Sequence, residues 1–340
     1  MLAAVADLLA ATGAAHTIIV RSTLPLSGPA ALIALRGGRP GAAAIVTNPE
    51  FMREGTALAD FDRPGRIVGG WLEPRDQVAA RDMLGLYAGI DAATLLGDAS
   101  SVAIIKLASN VFLAMKVGYA NELARLCDAF GADAALVADG LGMDARIGRA
   151  FLDAGPGFGG SCLPEQAVAL AEIANRASVP APLIEAVARS NETHRAAIAR
   201  RLGELLGLGD GATRSGLRGA RIALFGLSFK ANTDDVRESP ALAIAAVLRA
   251  AGASVTGTDP RALSAAVRAD PALAVAETPA AAAARADAVL IATEWPEYRS
   301  LDWMAIADAM RGDLVYDTRG AADPDAVRSA GLRLERLGRP

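Results

Sequence analysis

The feature that most limits what this chain can become is a helical pattern that runs unbroken from Asp98 to Phe130. Val102, Ile105, Val111, Phe112, Met115, Leu123 and Leu126 are its apolar positions, and Gly131 is its stop. A helix of that length bridges domains or pairs with a second subunit. On both sides of it, short β-branched runs alternate with alanine-rich helical stretches. HTIIV, AAAIV and GRIVGG precede it, and RIALFG, SVTGTDP, ADAVLIATEW and DLVYDTRG follow it. Such alternation predicts α/β architecture with parallel, doubly wound sheets, whose ligands sit beyond the carboxyl ends of the strands.

With 340 residues the chain has room for two domains or three small ones. Residues 1–97 are expected to form the first, residues 98–209 a central helical domain, and residues 210–340 the last. The stretch DGATRSG at 210–216 reads as the loop into that last unit, and residues 167–206 as helical. A balance of 34 basic against 38 acidic residues lacks the basic excess that nucleic acid demands, so no nucleic-acid partner is expected. Charges interrupt the apolar stretches, which argues against a membrane span and for a soluble cytoplasmic protein. The opening MLAAVADLLAATGAA lacks a positive start and contains Asp7, so it reads as an amphipathic helix with Leu2, Val5, Leu8 and Leu9 on one face. Two cysteines and two histidines offer no zinc-ligand spacing, and no metal is expected.

Several residue clusters are suited to chemistry. Cys162 ends GPGFGGSC, a glycine loop whose backbone can approach a ligand; that setting favours a nucleophile over a packed thiol, whereas Cys127 lies mid-helix and is assigned to packing. Lys106 and Asn110 share a helix face, as an oxyanion-stabilising pair or a polar surface stripe. Glu50 and Glu54 follow a strand, where acids bind, move protons or start a helix. The loop GLSFKANTDDVRE, rich in charge and amides, is closed by Ser239 as a helix cap and Pro240 at the first helical position.

Taken in order, VRSTLP, NPEFMREGTALADFDRPGRIVGG, IIKLASNVFLAMKVGYANELARLC, GMDARIG, FLDAGPGFGGSC, FGLSFKANTDDVRESPAL and ATEWPEYR resemble the UDP-glucose/GDP-mannose dehydrogenase family, in its UDP-glucose branch. The resemblance implies two Rossmann-like sheets, the first truncated, joined by the long helix. It also implies two successive NAD-dependent oxidations of a nucleotide sugar such as UDP-glucose, with Cys162 as the nucleophile. Lys106 and Asn110 match the family's oxyanion pair, and Thr23 and Glu54 match residues near the nicotinamide and a catalytic water. Glu50, Phe51, Met52 and Arg53, then Phe151, Leu152, Asp153, Ala154, Gly155 and Gly159, and Lys230, match contacts to the UDP-sugar. The loop around Phe158 is expected to select the sugar. Arg146 matches an arginine that reaches a neighbouring subunit's substrate, and Arg237 one directed at the cofactor. The helix 98–130 would be the core of a homodimer.

Two departures accompany the resemblance. The family's GxGxxG turn has no counterpart here, so roughly a hundred residues are expected to be missing ahead of Met1, and a fragment of a longer reading frame is the favoured explanation. The family has lysine and aspartate where this chain has Glu165 and Gln166. Gln166 bonds water without taking up its proton, and Glu165 reverses a charge on the cofactor side. Two other functions stay open: a catalytically silent UDP-sugar-binding subunit, and a dehydrogenase of GDP-mannose or a UDP-N-acetyl sugar.

Overall fold

The computed structural model describes residues 1–39, 41–208 and 216–339, so the predicted loop at 210–216 lies outside the described residues except for Gly216. The chain forms two compact units, Met1–Ser109 and Asn110–Pro340.

The first unit comprises α1 (Leu2–Ala11), β1 (Thr17–Val20), α2 (Gly28–Arg36), β2 (Ala44–Thr47), α3 (Ala57–Asp62), β3 (Arg66–Trp71), α4 (Gln77–Gly85), β4 (Ala93–Asp98) and the start of α5 (Ala99–Phe130). Of the four leucine and valine positions expected on one face of α1, Val5 and Leu9 pack with Ile18, Leu32 and Ile45. Leu2 and Leu8 are 43% and 47% exposed. Val5 and Leu9 stand one turn apart, while Leu8 is rotated away from both.

The sheet order is β1-β2-β3-β4. β1 and β2 run parallel, as do β3 and β4, but β2 and β3 are antiparallel, with Val46 opposite Trp71. This corrects the all-parallel expectation. A parallel crossover needs a helix that lays an apolar face on the sheet, and α3 buries none of its residues. The chain instead turns back at the end of β2, where Asn48 Nδ2 donates to the Val68 carbonyl at 2.9 Å. At Gly70 a Cβ would stand 3.1 Å from Ala99 Cα, so glycine lets the start of α5 lie close to β3. β4 was not evident in the sequence because it is mostly exposed and carries no strong alternation.

Asp98 begins α5 by accepting from Ser101 N at 2.9 Å and Ser101 Oγ at 2.7 Å, and Gly131 ends it with φ of 68°. By length and composition alone α5 is apolar enough to cross a membrane, which corrects the expectation that charge breaks every such stretch. Its apolar side is used inside the protein: Val102, Leu107, Val111, Ala114 and Ala124 are all buried.

The second unit continues with α6 (Ala134–Gly142), α7 (Cys162–Arg176), α8 (Pro182–Leu205), β5 (Arg221–Phe225), α9 (Pro240–Ala250), β6 (Ser254–Thr258), α10 (Leu263–Ala269), β7 (Ala274–Val275), α11 (Pro279–Ala282), β8 (Ala288–Ile291), α12 (Trp303–Ala309), β9 (Leu314–Asp317), α13 (Pro324–Ser329) and β10 (Arg333–Arg336). The stretch 167–206 is two helices rather than one, because Ser178 takes φ of 55° and Pro180 has no N–H to continue the ladder.

The sheet is six-stranded and parallel, in the order β10-β9-β8-β5-β6-β7. Leu224, Leu290 and Tyr316 pack on one face, and Phe225, Ile291 and Val315 on the other. Burial on both faces explains why RIALF and AVLI read as unbroken apolar runs. Ser239 caps α9 by accepting from Leu242 N at 3.4 Å, as expected. Asp259, the acid ending β6, accepts from Leu227 N at 2.7 Å, Ser228 N at 3.0 Å and Trp295 Nε1 at 3.1 Å, so its carboxylate is bound within the fold.

The first unit contains a buried ion pair. Arg36, 1% exposed, closes on Asp76 at 2.6 Å and on Glu73. Removing one partner of such a pair strands the other charge. Arg36→Leu is therefore expected to lower stability by about 3–5 kcal/mol, measured by urea denaturation; a loss near zero would contradict the pairing.

Candidate functional site

In the first unit, the segment after β2 bends around a cavity of about 260 Å³ lined by Arg21, Glu50, Phe51, Arg53, Arg66 and Tyr87, among others. Lys106 is 5% exposed. Its ammonium donates to the Glu50 carbonyl, stands 3.5 Å from Glu50 Oε1, and lies 5.0 Å from the centre of the Phe51 ring. A lysine so enclosed is no part of an exposed polar stripe. Glu50 is fixed in turn, because its Oε2 accepts from Met52 N at 2.6 Å. Arg53 points its guanidinium at Asp60, at 3.1 Å from Nε and 2.7 Å from Nη2, and that contact holds the Asp60 carboxyl well below the usual carboxylate range. Glu54 is exposed, as is Thr23 beyond the carboxyl end of β1.

The first unit fits a dinucleotide in part. The hydroxyls of Ser22 and Thr23 follow β1 at the carboxyl end of a parallel pair, the side on which nicotinamide nucleotides bind. A pyrophosphate cradle needs a glycine turn opening onto a helix N-terminus. At the start of α2 the Gly28 N–H donates to the Pro25 carbonyl at 2.8 Å, and a Cβ on Gly28 would meet Leu24 Cβ at 3.0 Å, so this glycine serves the local turn.

In the second unit, Cys162 is exposed as the first residue of α7, with Ser161 Oγ 3.7 Å from its Sγ. The amino end of a helix favours negative charge, which suits an oxyanion formed there. One turn along, Gln166 is buried and its Oε1 accepts from Asn110 Nδ2 at 2.9 Å; Glu165 points to solvent. Asn110 is thereby tied to the neutral side chain of Gln166. Cys127 is buried, in keeping with packing, and burial pushes its thiol up.

Three glycines ahead of Cys162 are packed against protein on the side that a Cβ would occupy. A Cβ on Gly157 would meet Asn191 Oδ1 at 2.6 Å, one on Gly159 would meet Pro240 Cδ at 2.7 Å and the Glu238 carbonyl, and one on Gly160 would meet the Phe229 ring at 3.0 Å. These glycines let the loop press against α8 and the segment before α9. Phe158 is likewise buried.

Side chains that the sequence did not single out fix this loop. Asn191 accepts from Phe158 N at 2.9 Å and donates to Phe158 O at 3.0 Å. Asn121 Oδ1 accepts from Gly155 N at 2.8 Å, and His194 Nε2 donates to Gly155 O at 2.7 Å. Arg125 donates to His194 Nδ1 at 2.5 Å, which sets the imidazole in its Nε2–H form. Burial first, and the charges of Arg125 and Arg319 next, push His194 down to about 4. The one-turn spacing of Asn191 and His194 on α8 was the available signal.

Arg319 was also missed, although it lies two residues beyond the end of β9, where strand-end ligands are expected. With Leu152, Asp153, Ala154, Arg336 and Arg339 it lines a cavity of about 100 Å³. A Cβ on Gly155 would stand 2.6 Å from its Nη1 and would push the guanidinium aside. Arg336 Nε is buried without a hydrogen-bond partner. Other expected contacts lie at the surface: Arg146 is paired with Asp144, Arg237 with Asp235, and Lys230 lies 5.2 Å from the Phe229 ring. Phe151 is 38% exposed and takes φ of 65°.

A four-stranded sheet with hydroxyls at the carboxyl end of β1, a six-stranded parallel sheet, and a helix-start cysteine between them in sequence are the parts of a two-sheet α/β protein of nucleotide-binding type. Residues 1–90 match the NAD binding domain of the UDP-glucose/GDP-mannose dehydrogenase family, residues 100–193 its central domain, and residues 223–324 its UDP binding domain. A UDP-glucose 6-dehydrogenase from Rhizobium meliloti (strain 1021) is 39% identical over 328 residues, which is 95% of this chain and 73% of that protein. Another, from Rickettsia conorii (strain ATCC VR-613 / Malish 7), is 34% identical over 94% of this chain and 73% of its own length. The structure of a UDP-glucose dehydrogenase from Pyrobaculum islandicum superposes with a TM-score of 0.81 at 36% identity, covering 96% of this chain and 71% of that one. The chain belongs to the UDP-glucose/GDP-mannose dehydrogenase family, whose members are NAD-dependent nucleotide-sugar dehydrogenases.

Two outcomes follow for the loop. Gly159→Ala forces the loop off Glu238 and Pro240, and a loss of about 1–3 kcal/mol is expected in thermal or urea unfolding. His194 is neutral and depressed when folded, whereas it titrates normally when unfolded. The unfolded chain thus binds the extra proton between pH 6.5 and 4, and stability falls as pH drops through that window by up to roughly 3 kcal/mol. His194→Gln should flatten this part of the stability profile; an unchanged profile would contradict the assignment.

Proposed function

We propose that this chain oxidises C6 of UDP-glucose twice, to UDP-glucuronate, with Cys162 as the covalent nucleophile. The observation that carries the proposal is an exposed cysteine at a helix start, on a loop held at Gly155 and Phe158 beside the arginine-lined cavity at the end of β9. NAD, when bound, accepts a hydride in each oxidation. Cys162 Sγ forms a bond to C6 at the aldehyde level, and the resulting thiohemiacetal loses the second hydride and its hydroxyl proton to become a thioester. Water then breaks the C6–S bond and releases the carboxylate. Lys106 and Asn110 are assigned to the developing oxyanion, Thr23 and Glu54 to the nicotinamide side and the water. Arg319 and Arg336 offer guanidinium donors to a diphosphate.

A second function, a silent UDP-sugar-binding subunit, is favoured by the Asn110–Gln166 pair, which occupies an oxyanion donor with a neutral amide. The two are separated by following NADH and UDP-glucuronate together. Turnover that falls by roughly a hundredfold or more in Cys162→Ser supports the dehydrogenase, and a rise in Gln166→Asp would show that the amide limits proton transfer. UDP-glucose binding without turnover, in the wild type and in Gln166→Asp alike, would establish the silent subunit. GDP-mannose and a UDP-N-acetyl sugar in the same assay define the substrate.

The domain limits proposed are 1–97, 98–209 and 210–340, in a cytoplasmic homodimer built on α5. Phe112, Tyr119 and Leu126, spaced by two turns, are 57%, 52% and 54% exposed and form an apolar stripe along the helix. Light scattering should give a dimer for the wild type and a monomer for Tyr119→Asp/Leu126→Asp; a monomeric wild type would contradict this interface.

A further inference from the structure

Within the second unit, α5, α8 and β9 enclose a cavity of about 370 Å³ on which none of the proposed catalytic residues borders. Its wall presents hydrogen-bond donors that the fold leaves unused. Tyr316 is 1% exposed, and its hydroxyl has no hydrogen-bond partner. Arg125 is half-buried, and its guanidinium touches only the Asn121 carbonyl and His194, with no carboxylate in ion-pair distance among the described residues. A buried hydroxyl and a guanidinium without a counter-ion are each costly unless an acceptor joins them. Asp128, whose Oδ1 accepts from Gly338 N at 2.8 Å, and Glu204, which pairs with Arg201 at 3.4 Å, stand in the same wall and keep further acceptor lone pairs.

We propose that this cavity is an effector site for a hexose-sized oxyanion, a sugar phosphate or a sugar acid. The anionic end takes the Tyr316 hydroxyl and the Arg125 guanidinium, and the sugar hydroxyls donate to Asp128 and Glu204. The volume lies at the small end of ligand sites, which suits a monosaccharide rather than a nucleotide sugar. The site has a route to Cys162. Arg125 is the donor that fixes His194, and His194 holds the Gly155 carbonyl of the cysteine loop. An anion that competes for Arg125 loosens that hold.

The test needs no turnover and no assumption about the substrate. Glucose 1-phosphate and glucuronate are titrated separately by calorimetry into the full 340-residue chain, and Cys162 alkylation by iodoacetamide is timed with and without each, buried Cys127 serving as the internal reference. Saturable binding of at least one probe is expected, weakened about tenfold or more in both Tyr316→Phe and Arg125→Gln, with alkylation about fivefold faster in the bound wild type. The probe that binds identifies phosphate or carboxylate as the recognised group. Tyr316→Phe removes only an unpartnered hydroxyl, so it folds and keeps the comparison valid. No saturable binding of either probe, binding indifferent to both substitutions, or an alkylation rate that is unchanged or slower would overturn the proposal.

Discussion

The loop that carries Cys162 is held by its backbone, and much of the second unit is arranged around that restraint. A glycine-rich segment loses more conformational freedom on ordering than any other, so it keeps one shape only if its peptide groups are bound from outside. Here Asn121 and His194 take the N–H and the carbonyl of Gly155, and Asn191 takes both groups of Phe158. All these side chains stand on α5 and α8, the two longest helices, and Asn121, Asn191 and His194 are themselves buried. The bonds are buried, so losing any of them leaves a polar group without water to replace it. Positioning a nucleophile by such contacts lowers the cost of reaching the reactive geometry.

The same helix serves the other candidate chemistry. Lys106 lies on α5 in a buried niche made by Glu50 and Phe51, and Asn110 follows one turn later with Gln166 as its partner. A buried ammonium needs both a countercharge and hydrogen-bond acceptors. Glu50 supplies the carboxylate and the carbonyl. The strand-end cavities of both units are lined by arginine, Arg21 and Arg66 in one and Arg319 and Arg336 in the other, as expected of surfaces that receive anionic nucleotides.

The sequence revealed a good deal of this and obscured the rest for definable reasons. The long helix, the parallel strands of the second unit and the Ser239 cap were legible because periodicity and capping act locally. The antiparallel turn from β2 to β3 was not, since strand direction depends on whether α3 finds a sheet face to bury against. The break between α7 and α8 was hidden because Ser178 and Pro180 sit in an otherwise helical pattern. Among the candidate residues, Cys162, Lys106 and Asn110 were marked by residue type and motif. The packing of the glycines was hidden, because a missing Cβ makes room equally for a ligand and for a neighbouring side chain, and Asn191, Pro240 and Phe229 are distant in sequence. Asn191, His194 and Arg319 escaped notice because their partners are backbone groups or cavities distant in sequence.

The most direct test of the account is whether the clamp on the cysteine loop sets affinity for the nucleotide sugar. Calorimetric titration of UDP-glucose into the wild-type chain and into Asn191→Ala, with folding of both checked by circular dichroism, measures this. The account predicts saturable binding by the wild type and an affinity at least about tenfold weaker in the variant, the loss expected when a buried two-bond clamp is removed. Equal affinities in two folded proteins would contradict it.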